Sequence, residues 1–120
     1  MIVKDKTIHK DPPQDQINFI LDLFNSNKLN EVIKSINHQL NLYPSSSILF
    51  NILGAALSSQ NKLPEALLNY NKSIKINPNY AQAYNNLGAC MYRMGKYQDA
   101  VAGSPNLAHY LRNNKWKLKM

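Results

Sequence analysis

Apolar residues recur along this chain at spacings of three and four, divided by short polar breaks. Ile17, Ile20, Leu21 and Phe24 share one face of a predicted first helix. Asp11 ahead of Pro12 and Pro13 predicts its start, with Asp11 as the cap and prolines in the first turn. Asn25–Ser26–Asn27–Lys28 breaks it, and Leu29, Val32, Ile33, Ile36 and Leu40 form the next face. Tyr43–Pro44 stops that helix, because proline disfavours helical geometry in the residue before it. Ser45–Ser46–Ser47 offers caps for a third helix, about Ile48 to Ser59, packing through Phe50, Leu53, Ala56 and Leu57. After a turn at Asn61–Lys62, a fourth helix runs from about Leu63 to Lys75 and presents Ala66, Leu67, Tyr70 and Ile74. Pro64 suits its first turn.

Asn77–Pro78–Asn79 ends the fourth helix and caps a fifth, about Ala81 to Met94, with Tyr84, Leu87, Cys90 and Met91 inward. Met94–Gly95–Lys96 turns the chain into a sixth helix at Tyr97. Glycine plus proline inside that helix would cost about 4 kcal/mol relative to alanines. Gly103–Ser104–Pro105 therefore ends it near Ala102, and Ser104 caps a short helix over Asn106–Asn113. A longer period overlies the helical one. Leu53–Gly54 and Leu87–Gly88 lie 34 residues apart, as do Ala66 and Ala100. A fixed period of this size signals an all-α solenoid of stacked helix–turn–helix repeats. The expected divisions are an arm over 1–12, a degenerate unit over 13–46, a complete unit over 47–80, a unit with a broken second helix over 81–114, and a basic tail over 115–120. The arm has no sustained period and reads as loose, although Ile2, Val3 and Ile8 give it apolar residues with which to dock.

Composition adds exclusions. The 120 residues suffice for one modest domain, and the net charge of +7 favours solubility and acidic partners. One cysteine allows no internal disulfide framework, which suits a reducing compartment. The N-terminus lacks the apolar run of a signal peptide, and no stretch is apolar enough to span a membrane, so the expected location is cytoplasmic. His9, His38 and His109 are far apart, and none has metal-ligand spacing to a cysteine or carboxylate. Cys90 between Leu87 and Met91 reads as a buried small hydrophobe with no base placed to activate it. Glu31 and Glu65 occupy equivalent slots in successive second helices rather than forming an acid–base pair. There is no glycine-rich phosphate loop and no Ser–His–Asp arrangement. Neither enzymatic activity nor a cofactor is expected.

The residues resemble those of tetratricopeptide repeat proteins. The middle unit matches through Phe50, Leu53–Gly54, Leu57, Ala66, Tyr70 and Pro78. The third matches through Tyr84, Leu87–Gly88, Met91 and Ala100, then carries Ser104 and Arg112 in place of the aromatic and the proline. The first fills the same slots with Gln16, Phe19–Ile20, Leu23, Val32, Ile36 and Pro44, with Ile20 where glycine belongs. The resemblance implies a short right-handed superhelix whose first helices line a concave, peptide-binding groove. Carried onto this sequence, its groove slots include Ile17, Asn18, Leu21 and Phe24, then Ile48, Asn51, Ile52 and Ala55, then Asn85, Asn86, Tyr92 and Arg93. Asparagine amides both donate and accept, so Asn51, Asn85 and Asn86 are expected to bond a peptide backbone. Arg93 is expected to meet an acidic group, and Phe24 and Tyr92 to make apolar contact. These asparagines equally fit solvated helix surface in an Asn-rich chain. Ile17 and Leu21 stand where chaperone-binding members place a lysine and an asparagine against a C-terminal carboxylate. Asn18 and Asn86 match the asparagine ladder of O-linked N-acetylglucosamine transferase repeats, which Ile52 interrupts, and the texture is similar to bacterial arrays preceding glycosyl- or sulfotransferase domains.

Three functions follow as expectations. The first is a scaffold binding an extended peptide or partner protein. The second is a repeat fragment of, or accessory to, a transferase. The third is a basic nucleic-acid or membrane-surface binder acting through Lys115, Lys117, Lys119 and Trp116. The same tail equally reads as a solvated end that keeps the stack soluble.

Overall fold

The structure is a computed structural model that describes residues 10–95. It contains five helices: α1 (Gln14–Asn25), α2 (Leu29–Leu42), α3 (Ser47–Ser59), α4 (Leu63–Ile76) and α5 (Ala81–Arg93). No strand occurs among the described residues. The predicted sixth helix, the short helix after Ser104, most of the N-terminal arm, the basic tail, His9, His109 and Ala100 lie outside the described residues. The five helices fall within one residue of the predicted boundaries, apart from the start of α1.

The 34-residue period appears in the backbone as well as the core. Asn27, Asn61 and Gly95 all take left-handed geometry, with φ of 60°, 62° and 71°. Each follows the residue that closes a first helix. Asn27 N–H donates to the Phe24 carbonyl and Lys28 N–H to that of Leu23, both at 2.9 Å. Asn61 and Lys62 repeat the pair onto Ser58 and Leu57, again at 2.9 Å. Gly95 N–H donates to the Tyr92 carbonyl at 3.0 Å. This pairing satisfies carbonyls that a helix end leaves open. Asparagine and glycine are the residues that enter this region at least cost.

The helix starts correct two expectations, at α1 and α5, and single out one serine at α3. Pro13, not Asp11, occupies the cap of α1, and no side chain caps that helix. The two prolines hold Asp11 too far upstream to reach the first turn. Its carboxylate instead accepts from the Ser46 hydroxyl at 2.6 Å. Ser46 is the member of the serine triplet that caps α3, accepting from Leu49 N–H at 3.2 Å. At α5 the cap position holds Tyr80 without a side-chain bond, while Asn79 N–H donates to the Asn77 side chain.

Two apolar clusters form the core. The first joins Ile17 and Ile20 of α1, Val32 and Ile36 of α2, and Leu49, Ile52, Leu53 and Ala56 of α3. The second joins Ala66 and Tyr70 of α4 to Tyr84, Leu87 and Cys90 of α5. Leu57 packs against both. Because α3 lies against α2, α4 and α5, it is buried nearly all round, Asn51 and Gly54 included. Phe50 and Leu57, expected on its packing side, are only half-buried, Met91 of α5 is also half-buried, and Leu21 of α1 is exposed.

Contact between α3 and α4 is close at one end and at mid-helix. Ser47 and Ser73 are buried and exchange hydroxyl-to-carbonyl bonds of 2.9 and 2.8 Å. A β-carbon on Gly54 would sit 2.6 Å from the Tyr70 ring. Gly54→Ala is therefore expected to destabilise the fold by about 1–3 kcal/mol in denaturant unfolding. The penalty should shrink in a Tyr70→Leu background, and equal penalties in both backgrounds would refute the contact as its cause.

Candidate functional site

The first helices α1, α3 and α5 form one row. Ile17 of α1 shares a core cluster with Ile52 of α3, and α3 touches α5 directly. Two polar assemblies span α3 and α5. In one, Asn86 Nδ2 donates to Asn51 Oδ1 at 2.9 Å, and Asn51 Nδ2 donates to the Tyr80 hydroxyl at 3.3 Å. Asn51 is only 4% exposed. A buried amide must find partners inside the protein, and Asn51 uses both its donor and its acceptor there. The structure thus gives Asn51 an internal role, holding Asn86 and Tyr80, in place of the expected contact with a bound backbone.

The second assembly centres on Arg93 at the end of α5. Its Nη1 donates to the Ser58 carbonyl at 3.2 Å and to Ser58 Oγ at 2.7 Å, and its Nη2 donates to Asn61 Oδ1 at 3.2 Å. The guanidinium thereby sits over the C-terminal turn of α3, where a positive charge is favoured. All three of these acceptors are neutral.

The remaining expected site residues are distributed along the same row. Phe24 is half-buried against the first core cluster. Asn85 is half-buried, and its Oδ1 is sealed from solvent without a hydrogen-bond donor among the described residues. Tyr92 is 42% exposed. The structure brings Asn51 and Asn86 together and ties Arg93 to α3. It does not bring Phe24 into either assembly. Tyr80 and Asn61 belong to these assemblies but stood out only as turn residues in sequence, whereas Ser58 fell among the groove slots that the resemblance implies. Their partners lie 29 to 35 residues away, so no local pattern reports them.

Chemistry beyond hydrogen bonding is sparse. No three His, Cys, Asp or Glu residues gather in metal-binding fashion among the described residues. No described helix is long and apolar enough to cross a membrane. Cys90 is buried, and its thiol points at the Leu63 carbonyl at 3.5 Å. Burial pushes this thiol up from its ordinary value, with Arg93 opposing the shift. Burial likewise raises Tyr70 and Tyr80; Cys90 adds to the shift at Tyr70 and Asp11 at Tyr80, while the bonds from Ser58 and Asn51 oppose it.

Residues 54–95 match a family model described as TPR repeat. None of the curated proteins matches the chain. Among solved structures, the chain is similar to the TPR2B-domain:pHsp70 complex of yeast Sti1, at 18% identity over 83% of this chain and 80% of that one, with a TM-score of 0.72. It is similar to the type III secretion translocator chaperone SycD of Yersinia enterocolitica, at 17% identity over 88% of this chain and 73% of that one, with a TM-score of 0.73. It also resembles MamA, at 21% identity over 84% of this chain but 57% of that one, with a TM-score of 0.69. The TM-scores show a common fold, the tetratricopeptide-type all-α solenoid.

Two outcomes follow. Asn51→Ala leaves Tyr80 and Asn86 without their amide partner and is expected to cost roughly 1–3 kcal/mol in denaturant unfolding; a cost near zero would show that the assembly does not stabilise the fold. The raised Cys90, Tyr70 and Tyr80 values mean that the folded chain holds these protons where the unfolded chain has lost them. The associated stability is complete below the ordinary thiol value of 9.0 and is lost as pH rises through the folded values. The thermal midpoint should fall as pH rises from about 9 to about 10.5, less steeply in Cys90→Ala. A midpoint unchanged over that interval would contradict the burial argument.

Proposed function

We propose that this chain is a non-catalytic, cytoplasmic scaffold that holds an extended peptide or partner segment along its row of first helices. The observation that carries the reading is Arg93. Its guanidinium is exposed, fixed by three hydrogen bonds, and held only by the neutral groups of Ser58 and Asn61 in those bonds. A charge preorganised in this way loses little side-chain entropy on meeting a carboxylate. Asn86, steadied by Asn51, and Asn85 supply amides beside it for a peptide backbone. Tyr92 and Phe24 supply apolar surface. Asn51 acts through Asn86 in this reading.

The similar structures support protein segments as the ligand class. The TPR2B domain is seen in complex with pHsp70, and SycD is a translocator chaperone. The chain departs from the carboxylate-clamp pattern at Ile17 and Leu21, so its acidic contact is assigned to Arg93 alone. A transferase-linked role and a tail-mediated basic binder are favoured by no observation in residues 10–95. The ladder residue Asn86 spends its amide nitrogen on Asn51.

The test uses an array of extended peptides in matched acidic and neutral versions. The full chain should prefer acidic members, and Arg93→Ala should weaken their binding about five- to tenfold, or roughly 1–1.4 kcal/mol. Arg93→Lys should retain part of the preference, because the charge remains while the fork is lost. Circular dichroism of each variant verifies that the helices persist. Unchanged acidic-peptide binding by a folded Arg93→Ala would overturn the reading.

A further inference from the structure

The stack has a distinct surface at its N-terminal edge. Positions 19, 53 and 87 are equivalent slots in successive units. Leu53 and Leu87 are 7% and 4% exposed, whereas Phe19 is 55% exposed. The repeats themselves explain the difference. Leu53 packs in the cluster that holds Val32 and Ile36 of α2, and Leu87 in the cluster that holds Ala66 and Tyr70 of α4. In both cases the second helix of the preceding unit covers the slot with an apolar pair spaced four residues apart. No described helix precedes α1.

A cleft of about 550 Å³ opens at this edge between α1 and α2. Phe19 contributes its exposed apolar surface, Ile20 beneath it is buried in the core, and Gln16 and Gln39 contribute amides. Lys34 and His38, one turn apart on α2, bring a positive charge and an imidazole to the same cleft. No acidic residue lines it. The apolar surface asks for what α2 and α4 supply elsewhere, and Lys34 asks for a carboxylate.

We propose that this cleft docks an acidic amphipathic helix of a partner protein, presenting an i, i+4 apolar pair to either side of the exposed Phe19 ring and a flanking carboxylate to Lys34. The surface is separate from the row of first helices that carries Arg93. It makes the chain a two-sided adaptor, with an extended segment on one face and a helix on one edge. The helix-in-groove mode draws its affinity from the apolar stripe and its selectivity from the flanking charge.

The probe is an 18-residue helical peptide with leucines at i, i+4 spacing flanked by glutamates. A control peptide carries lysines in place of the glutamates. Nuclear magnetic resonance of the full chain should show the acidic peptide perturbing Phe19, Lys34 and His38 amides, and the basic one binding at least fivefold more weakly. Phe19→Asp, at an exposed position that should not disturb folding, should weaken binding at least tenfold. Lys34→Glu should weaken it several-fold, and Arg93→Ala should leave it unchanged. Equal binding of the two peptides, perturbations confined to α5, or an unaffected Phe19→Asp would each overturn the proposal. Ile2→Ser with Val3→Ser in the full chain examines the competing occupant. A fivefold gain in peptide affinity would show that the chain's own first residues fill the cleft, and would also overturn it.

Discussion

The close approach of α3 and α4 at Gly54 sets the geometry on which the rest of the stack depends. The Tyr70 ring occupies the space that any β-carbon at position 54 would need. That contact brings α4 near enough to α3 for Ser47 and Ser73 to bond across their buried ends. It also places α4 so that Tyr70 can form the second core cluster with α5. A repeat unit cannot bury its apolar face alone, so the pitch between helices within one unit controls how well the next one seats.

Polar groups do much of the joining between units. Asp11 reaches Ser46, Asn86 reaches Asn51, Asn51 reaches Tyr80, and Arg93 reaches Ser58 and Asn61. Most of these contacts cross about one repeat length. They are directional, so they specify register between units in a way that apolar burial does not. They also leave the binding surface partly prebuilt. The side chains that hold α5 against α3 are neighbours of those available to a ligand. On the proposed binding role, binding and stability would be coupled on this face through Arg93, which already ties α5 to α3.

The two candidate surfaces differ in physical character. The row of first helices offers amides, a tyrosine and a fixed cation, which suit a chain whose backbone is exposed. The N-terminal edge offers an apolar slot left uncovered beside a lysine, which suits a helix. Both follow from repetition. A repeat presents the same face in every unit, and position 19 is exposed where its counterparts 53 and 87 are buried.

Much of this was legible in the chain itself. The spacing of apolar residues placed five helices, and the 34-residue recurrence of Leu–Gly identified a stacked repeat before any contact was known. Position 54 had to be glycine-like for helices to approach, and the turns at Asn27 and Asn61 were visible as polar breaks. These are local or periodic signals, and local sequence carries them. What only the tertiary structure decided was the fate of the polar side chains. Asn51 and Asn85 occupy equivalent slots and looked alike, yet Asn51 is buried and bonded at both ends of its amide while Asn85 keeps an acceptor without a donor among the described residues. Asp11 looked like a cap and became a strap to Ser46. Phe19 fills the slot that Leu53 and Leu87 bury, and is more than half exposed. A side chain's partner one repeat away depends on how successive units dock. That docking is set by helix packing across the whole stack, which no window of the sequence contains.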